Sequence, residues 1–266
     1  MVAIVSDSSR PVDLRALPAL GDNYIWALVD AQGRVLVVDP GEPGPVLALL
    51  EAEGLSLAGV LLTHHHHDHI GGAAALRQRW PELPVFGPAD ERITVGHASM
   101  AEGDRVRIAD WSFDVLEIPG HTLTHIAFAG EGVVFCGDTL FSLGCGRLFE
   151  GTPTQMLASL DKLVALPGSS RVCCGHEYTI NNGRFARVVE PGNPALARRI
   201  QEAQAMRDRG NPTVPSSLAE ELQTNPFLRV GAPGVLASLS AHLGRPPIDR
   251  VDAFAQLRLW KDGFVA

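Results

Sequence analysis

The segment Val60-Leu61-Leu62-Thr63-His64-His65-His66-His67-Asp68-His69 runs from an apolar stretch straight into a loop holding five imidazoles and one carboxylate within six residues. The apolar part reads as a buried strand, and strand ends are where a rigid scaffold presents functional loops. Imidazole and carboxylate are borderline-to-hard donors that suit zinc, iron or manganese. So dense a run can serve more than one ion. An isolated histidine run could equally be a solvated loop or an adventitious metal binder. This one is internal, follows a buried strand and precedes Gly71-Gly72 at the start of a helical pattern.

Three further apolar runs end in the same way, in Ile118-Pro119-Gly120-His121, Cys136-Gly137-Asp138 and Cys174-Gly175-His176. Side chains from the ends of neighbouring strands can meet on one rim of a sheet, which lets distant residues build one site. The donors His64, His66, Asp68, His69, His121, Asp138 and His176 are too many for one tetrahedral ion. They suffice for two if one aspartate bridges. Each ion then keeps a position for water, the arrangement of a catalytic rather than a structural site. A glycine before each distant donor lets the backbone approach closely.

The 266 residues are 45% hydrophobic and 20% charged, enough for a full core and a smaller appended unit. A formal charge of -8 leaves no basic surface of the kind that binds phosphate backbones, so nucleic acid is not an expected partner. No apolar run approaches the roughly 18 residues of a membrane span. The N-terminus, with Asp7, Ser8, Ser9 and Arg10, lacks the apolar core of a signal peptide, so a cytoplasmic protein is expected. Cys136, Cys145, Cys173 and Cys174 are read as reduced, buried thiols, since an adjacent pair such as the last two rarely bridges.

Strand-like runs fall at 24–29, 35–38, 60–62, 115–118, 133–136 and 172–174, and helical patterns at 46–53, 70–79 and 154–166. Thr152 can cap the last of these, with Pro153 in its first turn. Beyond about residue 180 the texture is helical. Asn193, Pro194 and Gly210 bracket a helix with Leu196, Ile200, Ala203 and Met206 on one face. Ser217 and Glu220 form a capping-box pattern, and 235–243 and 251–261 also read as helices, with no strand-like run between them. A catalytic α/β domain over 1–180 and a small helical domain over 181–266 are expected.

The Thr63-His64-x-His66-x-Asp68-His69 loop, with His121, Asp138 and His176 downstream, resembles the hallmark of the metallo-β-lactamase superfamily. The resemblance implies an αββα metallo-β-lactamase sandwich carrying two metals. It assigns His64, His66 and His121 to the first ion, Asp68, His69 and His176 to the second, and Asp138 to both. It also marks Asp39, in Val38-Asp39-Pro40-Gly41, as a supporting carboxylate. Within the superfamily the chain looks like the glyoxalase II (hydroxyacylglutathione hydrolase) family from Leu17-Pro18 to the C-terminus. The motifs are Asp22-Asn23-Tyr24, Pro119-Gly120-His121-Thr122, Gly137-Asp138-Thr139-Leu140-Phe141, Gly144-Cys145-Gly146-Arg147, Cys174-Gly175-His176-Glu177-Tyr178-Thr179, Asn225-Pro226-Phe227 and Leu259-Trp260-Lys261-Asp262. A small C-terminal α-helical domain is also what that family has.

By the same resemblance Arg147, Tyr178, Arg258 and Lys261 bind glutathione. Arg258 and Lys261 are spaced i,i+3 on the last expected helix and can face one ligand. An acidic protein must concentrate positive charge locally to hold an acylglutathione. Phe149 stands where the family often has tyrosine, and Thr124 where glycine is usual. His97 and His125 are read as structural, and His65 and His67 as spacers in the loop or residues supporting it.

A water shared by two cations loses much of its pKa and can attack a thioester carbonyl near neutral pH. The leaving thiol titrates at only about 8.5, so no strong general acid is needed. The resemblance therefore implies hydrolysis of S-D-lactoylglutathione to D-lactate and glutathione, in methylglyoxal detoxification, with two divalent ions; a monomer is expected. Zinc is expected first, with iron or manganese as alternatives. The competing readings are a glutathione persulfide dioxygenase with a single iron, another thioester or β-lactam hydrolase, an RNA-processing nuclease and a non-catalytic metal binder.

Overall fold

The computed structural model describes residues 13–265, and Asp7, Ser8, Ser9 and Arg10 lie outside them. The chain divides into two compact units, one of residues up to 117 together with 124–137, the other of 118–123 together with 138–266.

The first unit holds β1 (Asp13–Ala19), β2 (Asn23–Val29), β3 (Arg34–Val38), α1 (Gly44–Glu53), β4 (Ser56–Leu61), α2 (His67–Ile70), α3 (Ala73–Arg79), β5 (Val85–Pro88) and β6 (Ala98–Met100), then β7 (Arg105–Ile108), β8 (Trp111–Glu117), β9 (Ile126–Gly130) and β10 (Val133–Gly137). The first six strands form one sheet in chain order, antiparallel from β1 to β3 and parallel from β3 to β6. β2 and β3 read as continuous apolar runs because they are interior strands of this sheet, and every residue of β2 is buried. Parallel neighbours need crossovers, which α1 supplies between β3 and β4, and α2 with α3 between β4 and β5. Val46 and Leu50 of α1 and Ala73 and Leu76 of α3 share a core with Ile25, Val35, Val37, Val60 and Leu62. β7 to β10 form an antiparallel run in which Trp111, Phe113 and Val115 alternate inward with half-buried Ser112 and Asp114.

One expected helix is two. The pattern over 70–79 breaks at Gly71-Gly72, and α2 starts three residues earlier, at His67, with His66 in the N-cap position. The break has a hydrogen-bonding cause, and the glycine a steric one. A Cβ on Gly72 would stand 2.5 Å from the backbone carbon of Glu42, and the Gly72 amide donates to the Pro40 carbonyl at 2.7 Å. The second half of the histidine loop, from His67 onward, is thus itself a helical turn, docked on the segment that follows β3.

The second unit holds β11 (Leu140–Phe141), β12 (Gly144–Cys145), α4 (Pro153–Val164), β13 (Arg171–Cys174), α5 (Thr179–Val189), α6 (Pro194–Asp208), β14 (Ser216–Ser217), α7 (Leu218–Thr224), α8 (Pro233–Leu243) and α9 (Arg250–Asp262). Thr152 and Gln155 form a full capping box on α4, and Asn193 accepts the amides of Ala195 and Leu196 on α6. Ser217 caps α7, but the reciprocal half of its box is missing because the Glu220 carboxylate pairs instead with Arg199 Nε at 3.0 Å. That ion pair also revises the face of α6. Leu196 and Ala203 are buried as expected, but Arg199 is buried beside them, its Nη2 donating to the Thr213 carbonyl at 2.6 Å. The tail carries one strand that the sequence reading lacks, the two-residue β14 paired with β13. All four cysteines are buried thiols outside any disulfide.

Candidate functional site

In the first unit the donors lie at the carboxyl ends of parallel strands, the usual place for ligand sites in such sheets. Asp39 follows β3 and sits in the left-handed region with φ 53. Its Oδ1 accepts the Thr63 amide at 2.8 Å, and its Oδ2 accepts the Thr63 hydroxyl at 2.7 Å. With its proton so committed, Thr63 Oγ1 can only accept from His64 Nδ1, 3.0 Å away. His69 Nδ1 lies 3.0 Å from the same Asp39 Oδ2. One buried carboxylate thereby sets the tautomer of two histidines and leaves the lone pair of each on Nε2.

The remaining donors of the loop stand close to those atoms. His66 Nδ1 is 3.1 Å from His64 Nε2, and Asp68 Oδ2 is 3.5 Å from His69 Nε2. Asn23 Nδ2 donates to Asp68 Oδ2 at 2.9 Å and aims that carboxylate. A Cβ on Gly41 would stand 2.0 Å from the Asp68 carbonyl oxygen, so the Asp39-Pro40-Gly41 turn accepts no larger residue. His65 turns to Asp90, which also accepts the Thr124 hydroxyl at 2.6 Å and the Arg92 guanidinium at 2.8 Å. Arg92 holds the Asp90 carboxyl well below the usual carboxylate range. Thr124 therefore replaces the expected glycine with a specific bond. His67 is exposed. His125 is buried, as a structural histidine, with its ring stacked on His64 at 4.5 Å and 16°. His97 also fits that expectation, its ring nitrogens 2.9 Å from the Val95 and Pro88 carbonyls.

In the second unit, His121 Nδ1 donates to the Arg147 carbonyl at 2.9 Å, which again leaves the lone pair on Nε2. Asp138 Oδ2 lies 3.5 Å from His121 Nε2 and 3.4 Å from His176 Nε2. The His176 ring stacks on Tyr178 at 4.7 Å and 5°, and Phe141 meets Tyr178 edge-on at 5.1 Å. Phe149, 62% exposed, meets the His121 ring at 5.1 Å.

The expected cations gather near α9. Arg258 and Lys261 lie one turn apart on it. Lys261 is half-buried, and burial, then Arg258, then Arg147 lower its pKa. Arg147 is 65% exposed at its side chain, with Nε 3.6 Å from Asp262. Arg258 is different. It is buried, donates from Nη1 to the Cys145 carbonyl and from Nη2 to Asp262, both at 2.9 Å, and lies over the Phe227 ring. Both of its terminal nitrogens donate inside the protein, which makes it a support for the neighbouring cations more than a free hand for a ligand.

The donor set fits divalent metal. Two donors, each about 2.0 to 2.2 Å from a tetrahedral ion, are about 3.4 Å apart. The histidine–aspartate separations of 3.4 and 3.5 Å match that edge and exceed a good hydrogen bond. Sequence reasoning gave no role to Asn23 or Thr63, although both stand inside motifs it singled out.

Residues 21–176 match the family model of the metallo-beta-lactamase superfamily, and residues 177–264 that of the hydroxyacylglutathione hydrolase C-terminus. A hydroxyacylglutathione hydrolase of Xanthomonas euvesicatoria pv. vesicatoria (strain 85-10) is 57% identical over 94% of this chain and 98% of its own. The chain belongs to the hydroxyacylglutathione hydrolase family of the metallo-β-lactamase superfamily. Among solved structures, ETHE1 from Myxococcus xanthus matches with a TM-score of 0.63 and 25% identity, over 94% of this chain and 98% of that one. TTHA1623, solved in a di-iron-bound form, matches with a TM-score of 0.59 and 28% identity, over 81% of this chain and 99% of that one. The α/β fold class, with its C-terminal helical region, and the metal-binding hydrolase function are those expected from the motifs. No helix among the described residues is long and apolar enough to cross a membrane.

Proposed function

We propose that this hydrolase cleaves the thioester of 2-hydroxyacylglutathiones, S-D-lactoylglutathione first among them, to the hydroxy acid and glutathione, in the cytoplasm. His64, His66 and His121 hold one divalent ion, Asp68, His69 and His176 a second, and Asp138 serves both. The single observation that carries this reading is the position of Asp138 Oδ2, nearly equidistant from the Nε2 atoms of His121 and His176. One carboxylate oxygen placed between two imidazole donors is what a bridging ligand requires. Zinc is the proposed metal, although the di-iron form of TTHA1623 keeps iron in view. When bound, the ions supply an activated water and polarise the carbonyl under attack.

The chain's own residues do the rest. Asp39 and the Arg147 carbonyl hold three of the imidazoles in the tautomer that offers Nε2. Arg147 and Lys261 attract the carboxylates of the glutathione moiety, Arg258 fixes Asp262, the carboxylate that also faces Arg147, and Tyr178 borders His176. The proposed division of labour puts the metals in a catalytic domain over 1–180 and α6 to α9, with most of α5, in a substrate-binding domain over 181–266.

The test is to incubate metal-loaded protein with S-D-lactoylglutathione and follow thioester loss together with free thiol. Equal amounts of thioester lost and thiol gained are expected. No turnover, with oxygen uptake on glutathione persulfide instead, would sink the hydrolase reading.

A further inference from the structure

The tip of the β11–β12 hairpin is gripped by side chains from three helices of its own unit. Leu143, at the turn, has φ 61, a conformation that a leucine adopts only when its surroundings impose it. Its amide donates to Glu221 Oε2 at 2.8 Å. Asn225 Nδ2 lies within hydrogen-bond distance of the same Glu221 oxygen (3.0 Å) and of the Phe141 and Gly144 carbonyls (3.1 and 2.9 Å). Asn182 of α5 donates to the Ser142 carbonyl at 3.1 Å, and Arg199 of α6 reaches the Ser142 hydroxyl at 3.3 Å. Glu221 and Asn225 are fully buried.

The base of the same hairpin touches the proposed site at three points. Asp138 leads into β11, and the Gly146 amide donates to the Thr139 carbonyl at 3.1 Å, closing the base. The Arg147 carbonyl fixes the His121 ring, and the Cys145 carbonyl holds Arg258. A shift of the hairpin would move an acidic ligand, turn an imidazole and release the cation brace together.

Burying a carboxylate is costly, and burial pushes the Glu221 carboxyl above its ordinary range. An apolar residue would fill the same space without that cost, so stability alone does not account for it. What the carboxylate does supply is an acceptor for a turn amide and for the Asn225 amide that serves two hairpin carbonyls.

We propose that Glu221 and Asn225 are positioning residues that lock the β11–β12 hairpin, and through it set Asp138, His121 and Arg258 in their working geometry. The role of those three rests on the hydrolase reading above; the lock itself does not.

The experiment compares Glu221→Met, Asn225→Asp and Glu221→Gln in the full chain. Glu221→Met removes the acceptor, and Asn225→Asp removes the donors and sets a second acid beside the first. Both should weaken metal affinity by about 10-fold or more. They should also alter the visible spectrum of the cobalt(II)-loaded protein, lower kcat and raise KM together. Glu221→Gln keeps a side-chain oxygen for both bonds and should restore affinity, spectrum and kinetics to within about twofold. Folded Glu221→Met and Asn225→Asp proteins with unchanged metal affinity and cobalt spectrum would overturn the proposal, even with a lower Tm. Should Glu221→Met not fold, Asn182→Ala, which loses one bond to the tip, should shift the cobalt spectrum in the same direction, and no shift would overturn it as well. Affinity and spectrum need no substrate, so they separate this outcome from a wild-type protein inactive on S-D-lactoylglutathione.

Discussion

His69 Nδ1 and Asp39 Oδ2 lie 3.0 Å apart in the interior, and neither residue touches bulk water appreciably. The pair fixes which ring nitrogen carries the proton. Asp39→Asn keeps the shape but turns an acceptor into a donor facing His69, which favours the tautomer whose Nε2 is protonated. Metal affinity should fall about 10- to 100-fold, read by competition with a chromophoric chelator. Unchanged affinity would show that the carboxylate does not govern the tautomer.

Asp138 and Lys261 should separate chemistry from binding. Asp138→Ala removes the carboxylate shared by His121 and His176, so metal content should drop below two ions per chain and kcat by at least about 100-fold. Lys261→Ala should raise KM by about 10-fold, roughly 1.4 kcal/mol, with kcat nearly constant, because charge attraction to a remote part of the substrate is uniform binding. Kinetics untouched by Lys261→Ala would refute the proposed glutathione contacts while leaving the hydrolase reading standing.

The protonation of Lys261 makes a pH prediction. Burial and the nearby Arg258 and Arg147 lower its pKa, so it loses its charge at a lower pH than an ordinary lysine. KM should therefore climb on the alkaline side, beginning below the ordinary lysine value of about 10.4. Lys261→Arg, which stays charged, should flatten that climb. The linkage has a definite sign. Between the lowered folded pKa and the unfolded value the unfolded chain binds more protons, so this group makes stability rise with pH across that window. A KM profile identical in wild type and Lys261→Arg would refute the assignment.

Gly146 has no room for a side chain. A Cβ there would stand 1.9 Å from the Asp138 carbonyl oxygen, a backbone atom that cannot swing aside. Gly146→Ala should cost about 1 to 3 kcal/mol, measured by urea unfolding, and should lower metal retention on dialysis. Wild-type stability would mean that the hairpin base relaxes more easily than its contacts suggest.

Much of the fold can be read directly from residue pattern. β2 and β3 are interior strands of their sheet and β10 is buried along its whole length, and their continuous apolar runs announce them. Caps at Thr152 and Asn193 are local chemistry and fall where expected. Several strands were missed, β1, β5, β7 and β9 among them. β14 has two residues, and β6 is largely exposed, so neither carries a pattern of its own. The break at Gly71-Gly72 escaped because glycine is tolerated in helical patterns, and only the Pro40 carbonyl, which takes the Gly72 amide, interrupts the helix there.

The sequence by itself determined the donor types, their spacing and the family, because coordination chemistry restricts which side chains can bind metal and the histidine loop is joined by three further donors at apolar run ends, His121, Asp138 and His176. Only the tertiary structure decided which nitrogen of each ring is available, since that depends on Asp39, Thr63 and the Arg147 carbonyl, partners up to 30 residues away. It also separated Arg258 from Lys261. One turn apart on the same helix they look alike in sequence, yet one is spent on Cys145 and Asp262 inside the protein and the other is half-exposed. Burial and partnership are properties of the folded neighbourhood, and no local pattern encodes them.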